Sequence, residues 1–256
     1  MAHARADGAR THFIVAGFPR TGSSLILLSL AQHPNVDAFG ELFHPKVSQR
    51  ERAGRTSVDP LWQDERENAI DFLMRSIWGT PGGSRPVAGF KLFTTHTHLP
   101  GTRCLFQRLH ERFPDLRVIH SYRKNYLDAW VSLQKAEQTG VWARPADLEE
   151  RVAEPYQSIE VDPNVLEGAF TTMKESDQLI ETFHDSERYL RVSYEDLSAR
   201  FHDTVASMHR FLRVPPMQVR LPLSKQNRET HRSFLLNYDE LAKHFRETRY
   251  GWFFAE

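Results

Sequence analysis

The residues best equipped for chemistry are Gly17-Phe18-Pro19-Arg20-Thr21-Gly22-Ser23-Ser24. Gly17 and Gly22 permit backbone angles that side chains resist, so the main chain can curl with its N–H groups pointing inward. Thr21, Ser23 and Ser24 add hydroxyl donors, and Arg20 adds a permanent charge on a planar fork of donors. A helix starting near Ser23 would present its unpaired N–H groups and the positive end of its dipole to the same point. This set suits a tetrahedral oxyanion. The glycine spacing is that of a nucleoside-triphosphate loop, but two serines stand where such a loop carries the lysine and hydroxyl residue that grip phosphate and magnesium. Taken alone, the spacing also describes an ordinary strand-to-helix turn with a serine cap.

Other residues extend the pattern. In "VIHSYRKNYLDAWVSLQKA" an apolar run ends at Arg123, and Ser132 follows nine residues later. That is about two and a half helical turns, within reach of a phosphate forked by Arg123; a solvated basic cap is the plainer reading. Glu41, after the first helix, is a candidate general base, because burial of a carboxylate in a cleft raises its pKa toward working pH. His44, His96 and His98 are rival bases. On a strand, His96 and His98 would share one face, a spacing also seen in metal sites, but no third ligand accompanies them. Lys91 either reaches an acceptor pocket or snorkels to solvent. Tyr194 either stacks on a base or packs in the core.

The elements that must position these residues follow from periodicity. Residues 13–17 read as a buried strand and 23–33 as a helix with Leu25, Leu28 and Leu30 inward, ended by His33-Pro34. "ENAIDFLMRSIWG" reads as helix, "RPVAGFKLF" as strand, "RCLFQRLHERF" as helix and "DLRVIHSY" as strand. A helix from about Asn125 to Gln138, a longer one over "NVLEGAFTTMKESDQLIETF", a strand in "RYLRVSYEDL" and the helix "SARFHDTVASMHRFL" complete the series. Strands alternating with helices predict an α/β fold, a P-loop-like domain with a central parallel sheet flanked by helices on both faces. Ligands in such sheets sit at the carboxyl ends of the strands, where Arg20, Arg123 and Tyr194 project.

At 256 residues, one domain is expected over 1–256, with residues 1–10 disordered and 45–60 a polar surface excursion. Lys+Arg and Asp+Glu are both 33, so no global field attracts nucleic acid, and none is expected as a partner. The single cysteine, Cys104, closes no intrachain disulfide, and no run of roughly 18 apolar residues predicts a membrane span. A soluble cytoplasmic protein is the expectation. The aromatic ending "RYGWFF" should pack the C-terminus onto the body.

"FPRTGSSLI" resembles the 5'-phosphosulfate-binding loop of sulfotransferases that use 3'-phosphoadenosine 5'-phosphosulfate (PAPS), with Arg20 at the loop's basic position. "VIHSYRKNYLDAWVSLQKA" resembles the same family's second element, in which an arginine at a strand end and a serine in the next helix hold the 3'-phosphate. "VDAFGELFHP" and "LSKQNRETHRSFLLNYDELAKHFRETRYGWFF" are similar to segments of its bacterial carbohydrate and lipid branch, the trehalose sulfotransferase-like branch, in the first of which a glutamate is the proposed base. "THTHLP" is similar to a cytosolic relative's histidine-base motif, but Lys91 stands five residues before His96 rather than two. The resemblance implies PAPS as donor, 3'-phosphoadenosine 5'-phosphate (PAP) as product, no metal, and a small-molecule, glycan or lipid acceptor bearing a hydroxyl. It implies Glu41 and Arg20 as catalytic. Arg20, Thr21, Gly22, Ser23, Ser24, Arg123, Ser132, Tyr194, Lys225 and Gln226 are implied to bind the donor. A phosphotransferase with a degenerate loop and a non-catalytic nucleotide binder are the alternatives.

Overall fold

A computed structural model describes residues 10–43, 69–79, 85–98, 102, 104–146, 156–183, 187–224 and 230–255. His44, Lys225, Gln226, the expected surface excursion and the first nine residues lie outside this set, and of His98 only the backbone is described.

Five parallel strands form the sheet: β1 (Thr11–Gly17), β2 (Val36–Glu41), β3 (Val87–Phe93), β4 (Arg117–Tyr122) and β5 (Tyr189–Ser193), in the order β2-β3-β1-β4-β5. Side chains of β1 alternate between two apolar layers, as the period of a strand requires. Phe13 and Val15 meet Ile26 and Leu30 of α1 (Ser23–Leu30) and Val205 and Met208 of α7 (Phe201–Phe211). Ile14 and Ala16 meet Leu73 of α2 (Ala69–Leu73), Leu109 of α3 (Leu105–Arg112) and Ile180 of α5 (Pro163–Glu181). Helices therefore cover both faces. A third cluster, apart from the sheet, joins α4 (Tyr126–Thr139), α5 and α8 (Tyr238–Phe245), and it buries Tyr250, Phe253 and Phe254 of the aromatic ending while Trp252 stays exposed.

The strand order reverses at β1, so crevices open on both of its sides at the carboxyl ends, where loops diverge to opposite faces. The loop Phe18–Gly22 leaves β1 at this point, Arg123 follows β4, and Tyr194 opens the short helix α6 (Tyr194–Ala199) directly after β5.

Residues 36–41 form the edge strand β2. Two expectations are corrected. The first helix stops at Leu30 and leaves Leu28 exposed, because Leu25, Ile26, Leu27 and Leu30 already fill its inward arc. His96 and His98 lie in a 3₁₀ helix, Thr94–His98, not on a strand, so the period-two argument for a shared face does not apply. Among the described residues no cluster of three or more His, Cys, Asp or Glu side chains could hold a metal, and no helix is long and apolar enough to cross a membrane.

α7 carries a buried polar group that makes the fold acid-sensitive. His209 is wholly buried, its ring centroid 4.9 Å from that of His33. His33 Nδ1 accepts from the Asn35 N–H (3.0 Å), so its Nε2–H donates to the Pro215 carbonyl (3.0 Å). Burial, and secondarily His33, pushes the His209 imidazole down to about 4 from its ordinary 6.5. The folded state keeps His209 neutral while the unfolded chain protonates it. The associated stability is complete above about pH 6.5 and is lost as pH falls toward about 4, on the order of 3 kcal/mol in all. Urea unfolding at pH 7.5 and pH 5 should show this loss, and His209→Leu should flatten the pH dependence across that window.

Candidate active site

The loop after β1 is pinned from within. The Thr21 hydroxyl donates to the Phe18 carbonyl (2.8 Å), and the Ser121 hydroxyl at the end of β4 donates to the Thr21 carbonyl (2.8 Å). Thr21, expected to offer its hydroxyl proton to a ligand, spends it inside the loop. A Cβ on Gly17 would lie 2.4 Å from the Ser121 carbonyl oxygen, so glycine is what lets β1 and β4 close under the loop. Gly22 has φ 91°, and a Cβ there would lie 2.9 Å from the Tyr194 ring. Arg20 itself sits at φ 69°, a left-handed conformation that costs a non-glycine residue about 1–2 kcal/mol. The first bond of α1 runs from the Ile26 N–H to the Gly22 carbonyl (3.0 Å), so the N–H groups of Ser23, Ser24 and Leu25 precede the helical ladder and face the loop.

Two guanidinium groups converge beside this loop. Arg20 Nε donates to Ser132 Oγ (3.0 Å), and its Nη1 donates to the Trp142 carbonyl. Arg123, 9% exposed, lies over the Tyr194 ring (4.3 Å) and donates through Nη2 to Asp128 Oδ2 (3.2 Å). Burial, and next the charge of Arg123, holds the Arg20 pKa below the usual guanidinium value, against a weaker opposing effect of Tyr194. Arg123 Nε is buried with no hydrogen-bond acceptor among the described residues. Two facing cations, one carrying an orphaned donor, form a site that an anion would complete.

Ser132 and Arg123 are expected to share a phosphate; in the structure Ser132 Oγ accepts from Arg20 Nε, and Arg123 turns to Asp128. The reason lies in where α4 begins. Asn125 caps it, accepting from the N–H groups of Leu127 and Asp128, so the helix starts three residues after Arg123. Asp128 in the first turn intercepts Arg123, and Ser132, four residues on, lies one turn farther along the same face.

On the other side of the loop, Glu41 and Lys91 are register partners across β2 and β3, next to an irregularity at Gly40. Lys91 is buried, not snorkelled. Its Nζ lies 2.6 Å from Glu41 Oε1 and donates to Ser24 Oγ at 2.9 Å. His96 Nε2 lies 3.8 Å from Glu41 Oε2. One cation thus joins the helix that follows the loop to a half-buried carboxylate whose second oxygen faces an imidazole.

Sequence reasoning did not find Ser121, Asp128, Trp142 or His231, the last of which bonds Asp128 Oδ1 through Nε2 at 2.7 Å. Asp128 had a usable signal, its four-residue spacing from Ser132. Ser121 lies within β4, two residues before Arg123, and Trp142 and His231 come from remote segments with no local pattern.

A parallel α/β sheet with a cation-bearing loop at its switch point defines a class of enzymes that hold anionic nucleotides. The model of the "Sulfotransferase family" matches residues 13–218, and the chain belongs to that family. It is 27% identical over 250 residues to Nodulation protein H of Rhizobium tropici, covering 94% of this chain and 92% of the relative. It is 25% identical over 253 residues to Nodulation protein H of Rhizobium meliloti, covering 94% of each. A crystal structure of a sulfotransferase from Alicyclobacillus acidocaldarius superposes with a TM-score of 0.51 at 18% identity, covering 93% of this chain and 92% of that one, a likeness of fold. The enzyme is a sulfotransferase.

Gly17→Ala tests the packing under the loop. The new methyl must displace backbone rather than a flexible side chain, so a loss of about 1–3 kcal/mol is expected. Chemical denaturation measures it; a change within 0.5 kcal/mol, roughly the noise of a neutral surface substitution, would show that β1 and β4 separate freely.

Proposed function

We propose that the enzyme moves a sulfuryl group from PAPS to a hydroxyl of a carbohydrate, glycolipid or related small molecule, without a metal ion. The observation that carries this reading is the converging pair Arg20 and Arg123, with Arg123 Nε buried and without an acceptor among the described residues. In a magnesium-dependent nucleotide site the ion offsets charge on the transferred group. Here two guanidinium groups and the first N–H groups of α1 are available for that task, and the position of the usual lysine holds Ser23.

The roles proposed here combine the geometry with the family resemblance. Arg123 on its Tyr194 platform takes the donor's 3'-phosphate. Arg20, released from Ser132 and the Trp142 carbonyl, joins Gly22, Ser23 and Ser24 around the 5'-phosphosulfate. Lys225 and Gln226 remain candidates for further donor contacts, and Thr21 offers its backbone rather than its hydroxyl. Glu41 accepts the acceptor's hydroxyl proton as the oxygen attacks sulfur. The new S–O bond forms while the bond from sulfur to the bridging phosphate oxygen breaks, its electron pair leaving with PAP. Arg20 stabilises the charge that grows on that oxygen. Lys91 holds Glu41 in place from beneath, and His96 is the nearest group that could share or replace its role. The similarity of "VDAFGELFHP" to the carbohydrate and lipid branch supports the acceptor class.

Transfer of radiolabelled sulfate from PAPS should persist in EDTA, and PAP should raise the melting temperature equally with and without magnesium, by mass action on the folded state. Arg20→Ala should lower kcat by about 10²-fold or more. Glu41→Gln, which leaves Lys91 a hydrogen-bond acceptor, should lower kcat by roughly 10²–10⁴-fold while PAP affinity is retained. Full turnover in Glu41→Gln would transfer the base role to His96, and magnesium-dependent binding of ATP in place of PAP would favour a phosphotransferase.

A further inference from the structure

We propose that Asp128 and His231 are positioning residues for the Arg123 guanidinium, and that through them the C-terminal segment 230–235 sets the enzyme's preference for a nucleotide bearing a 3'-phosphate. The inference rests on the donor reading above and deepens it.

A chain of three contacts, linking four residues, crosses the molecule here. Tyr194, at the start of α6, supports the flat face of Arg123. Arg123 donates to Asp128 Oδ2 (3.2 Å), and Asp128 Oδ1 takes the Nε2 of His231 (2.7 Å). Burial alone would push the Asp128 carboxyl up, but His231 and Arg123 outweigh it and hold the acid below its ordinary value. Asp128 is therefore an ionised tether.

His231 is held as firmly as the group it reaches. It opens the 3₁₀ turn His231–Ser233, and its carbonyl accepts from the N–H groups of Phe234 (3.0 Å) and Leu235 (2.8 Å). Phe234 and Leu235 are buried in the cluster shared with α4, α5 and α8. Lys135, farther along α4, lies 5.2 Å from the Phe234 ring, so the segment docks along the same helix that carries Asp128. A guanidinium has five donors in one rigid plane. Fixing one nitrogen on Asp128 and the face on Tyr194 removes its remaining rotation and leaves Nε aimed at a fixed point.

The sign of the effect separates positioning from mere charge. A carboxylate 3.2 Å from the phosphate-binding arginine repels an incoming anion if charge is all it contributes. Removing it would then tighten PAP binding. If Asp128 orients Arg123, removing its charge weakens binding of the 3'-phosphate and leaves the rest of the nucleotide unaffected.

The experiment is calorimetric titration of the full chain with PAP and with adenosine 5'-phosphate, which lacks the 3'-phosphate. Asp128→Asn and His231→Ala should each lower the PAP preference roughly tenfold, the effect of losing one charge-assisted hydrogen bond, with adenosine 5'-phosphate affinity changed by less than about twofold. His231→Gln, whose amide N–H can donate to Asp128, should keep most of the preference. In turnover, these variants should raise KM for PAPS far more than they lower kcat, a split that general destabilisation would not produce. An unchanged or increased PAP preference in Asp128→Asn overturns the proposal. Arg123→Ala distinguishes the failures. If it abolishes the preference while Asp128→Asn does not, the donor site stands and the tether is wrong. If Arg123→Ala leaves the preference untouched, the donor reading fails and takes the tether with it.

Discussion

Two like charges held near each other in a largely buried cleft are the constraint around which this site is arranged. Arg20 and Arg123 each disfavour the other, and burial adds to the penalty on Arg20. Each is stabilised by something other than a simple counter-ion. Arg20 has the Ser132 hydroxyl and the Trp142 carbonyl, and Arg123 has the face of Tyr194 and one carboxylate oxygen. The left-handed backbone at Arg20 adds strain, which the loop's internal bonds to Phe18 and Ser121 offset. Strain and repulsion at one place, in a parallel sheet otherwise packed with apolar side chains, mark where stability has been given up for binding.

The opposite half of the cleft follows a different electrostatic rule. Lys91 and Glu41 neutralise each other on adjacent strands, and Ser24 ties the pair to the start of α1. Burying a lone charge is costly, and here the Glu41 carboxylate supplies the counter-charge to Lys91. Charge is thus in excess at the β1–β4 side and balanced at the β2–β3 side. The boundary between the two runs through the loop itself.

Much of this could be read from residues 13–30 and 115–132, and the reason is local. The apolar run ending at Gly17, the glycine pair and the leucines after Ser23 all lie within one strand–loop–helix unit, whose geometry depends little on the rest of the chain. Errors arose where short-range rules meet tertiary ones. Leu28 has the right period for the core but loses to four neighbours that fill the same arc. His96 and His98 continue an apolar strand in sequence, yet the chain turns at Thr94, whose hydroxyl meets that of Ser176 on α5 at 2.6 Å, a contact no local pattern announces. The helix expected from about Asn125 begins there, and the Arg123–Ser132 spacing identified the right helix face; Asp128, one turn before Ser132 on that face, is the residue that meets Arg123. His231 and Trp142 reach the cleft from segments remote in sequence and were not legible.

The same division of charge bears on what the cleft can accept. The half proposed for the donor, with two guanidinium groups, the N–H groups at the start of α1 and the carboxylate Asp128 bound to His231, has a positive character that a bisphosphorylated nucleotide would offset. The half at Glu41, which the proposal gives to the acceptor, has no such surplus among the described residues, because Lys91 is already spent on Glu41 and Ser24. On the proposed assignment, a polyanionic acceptor arriving there would meet a carboxylate whose neighbouring cation among the described residues, Lys91, is already engaged, and the chain as a whole, with 33 basic and 33 acidic residues, supplies no compensating field. An uncharged hydroxyl meets no such penalty: it needs only a base within reach, the role proposed for Glu41, and exclusion of water. The charge balance of the two halves therefore favours a neutral hydroxyl acceptor beside a highly anionic donor, and it does so through Lys91, the residue that separates them.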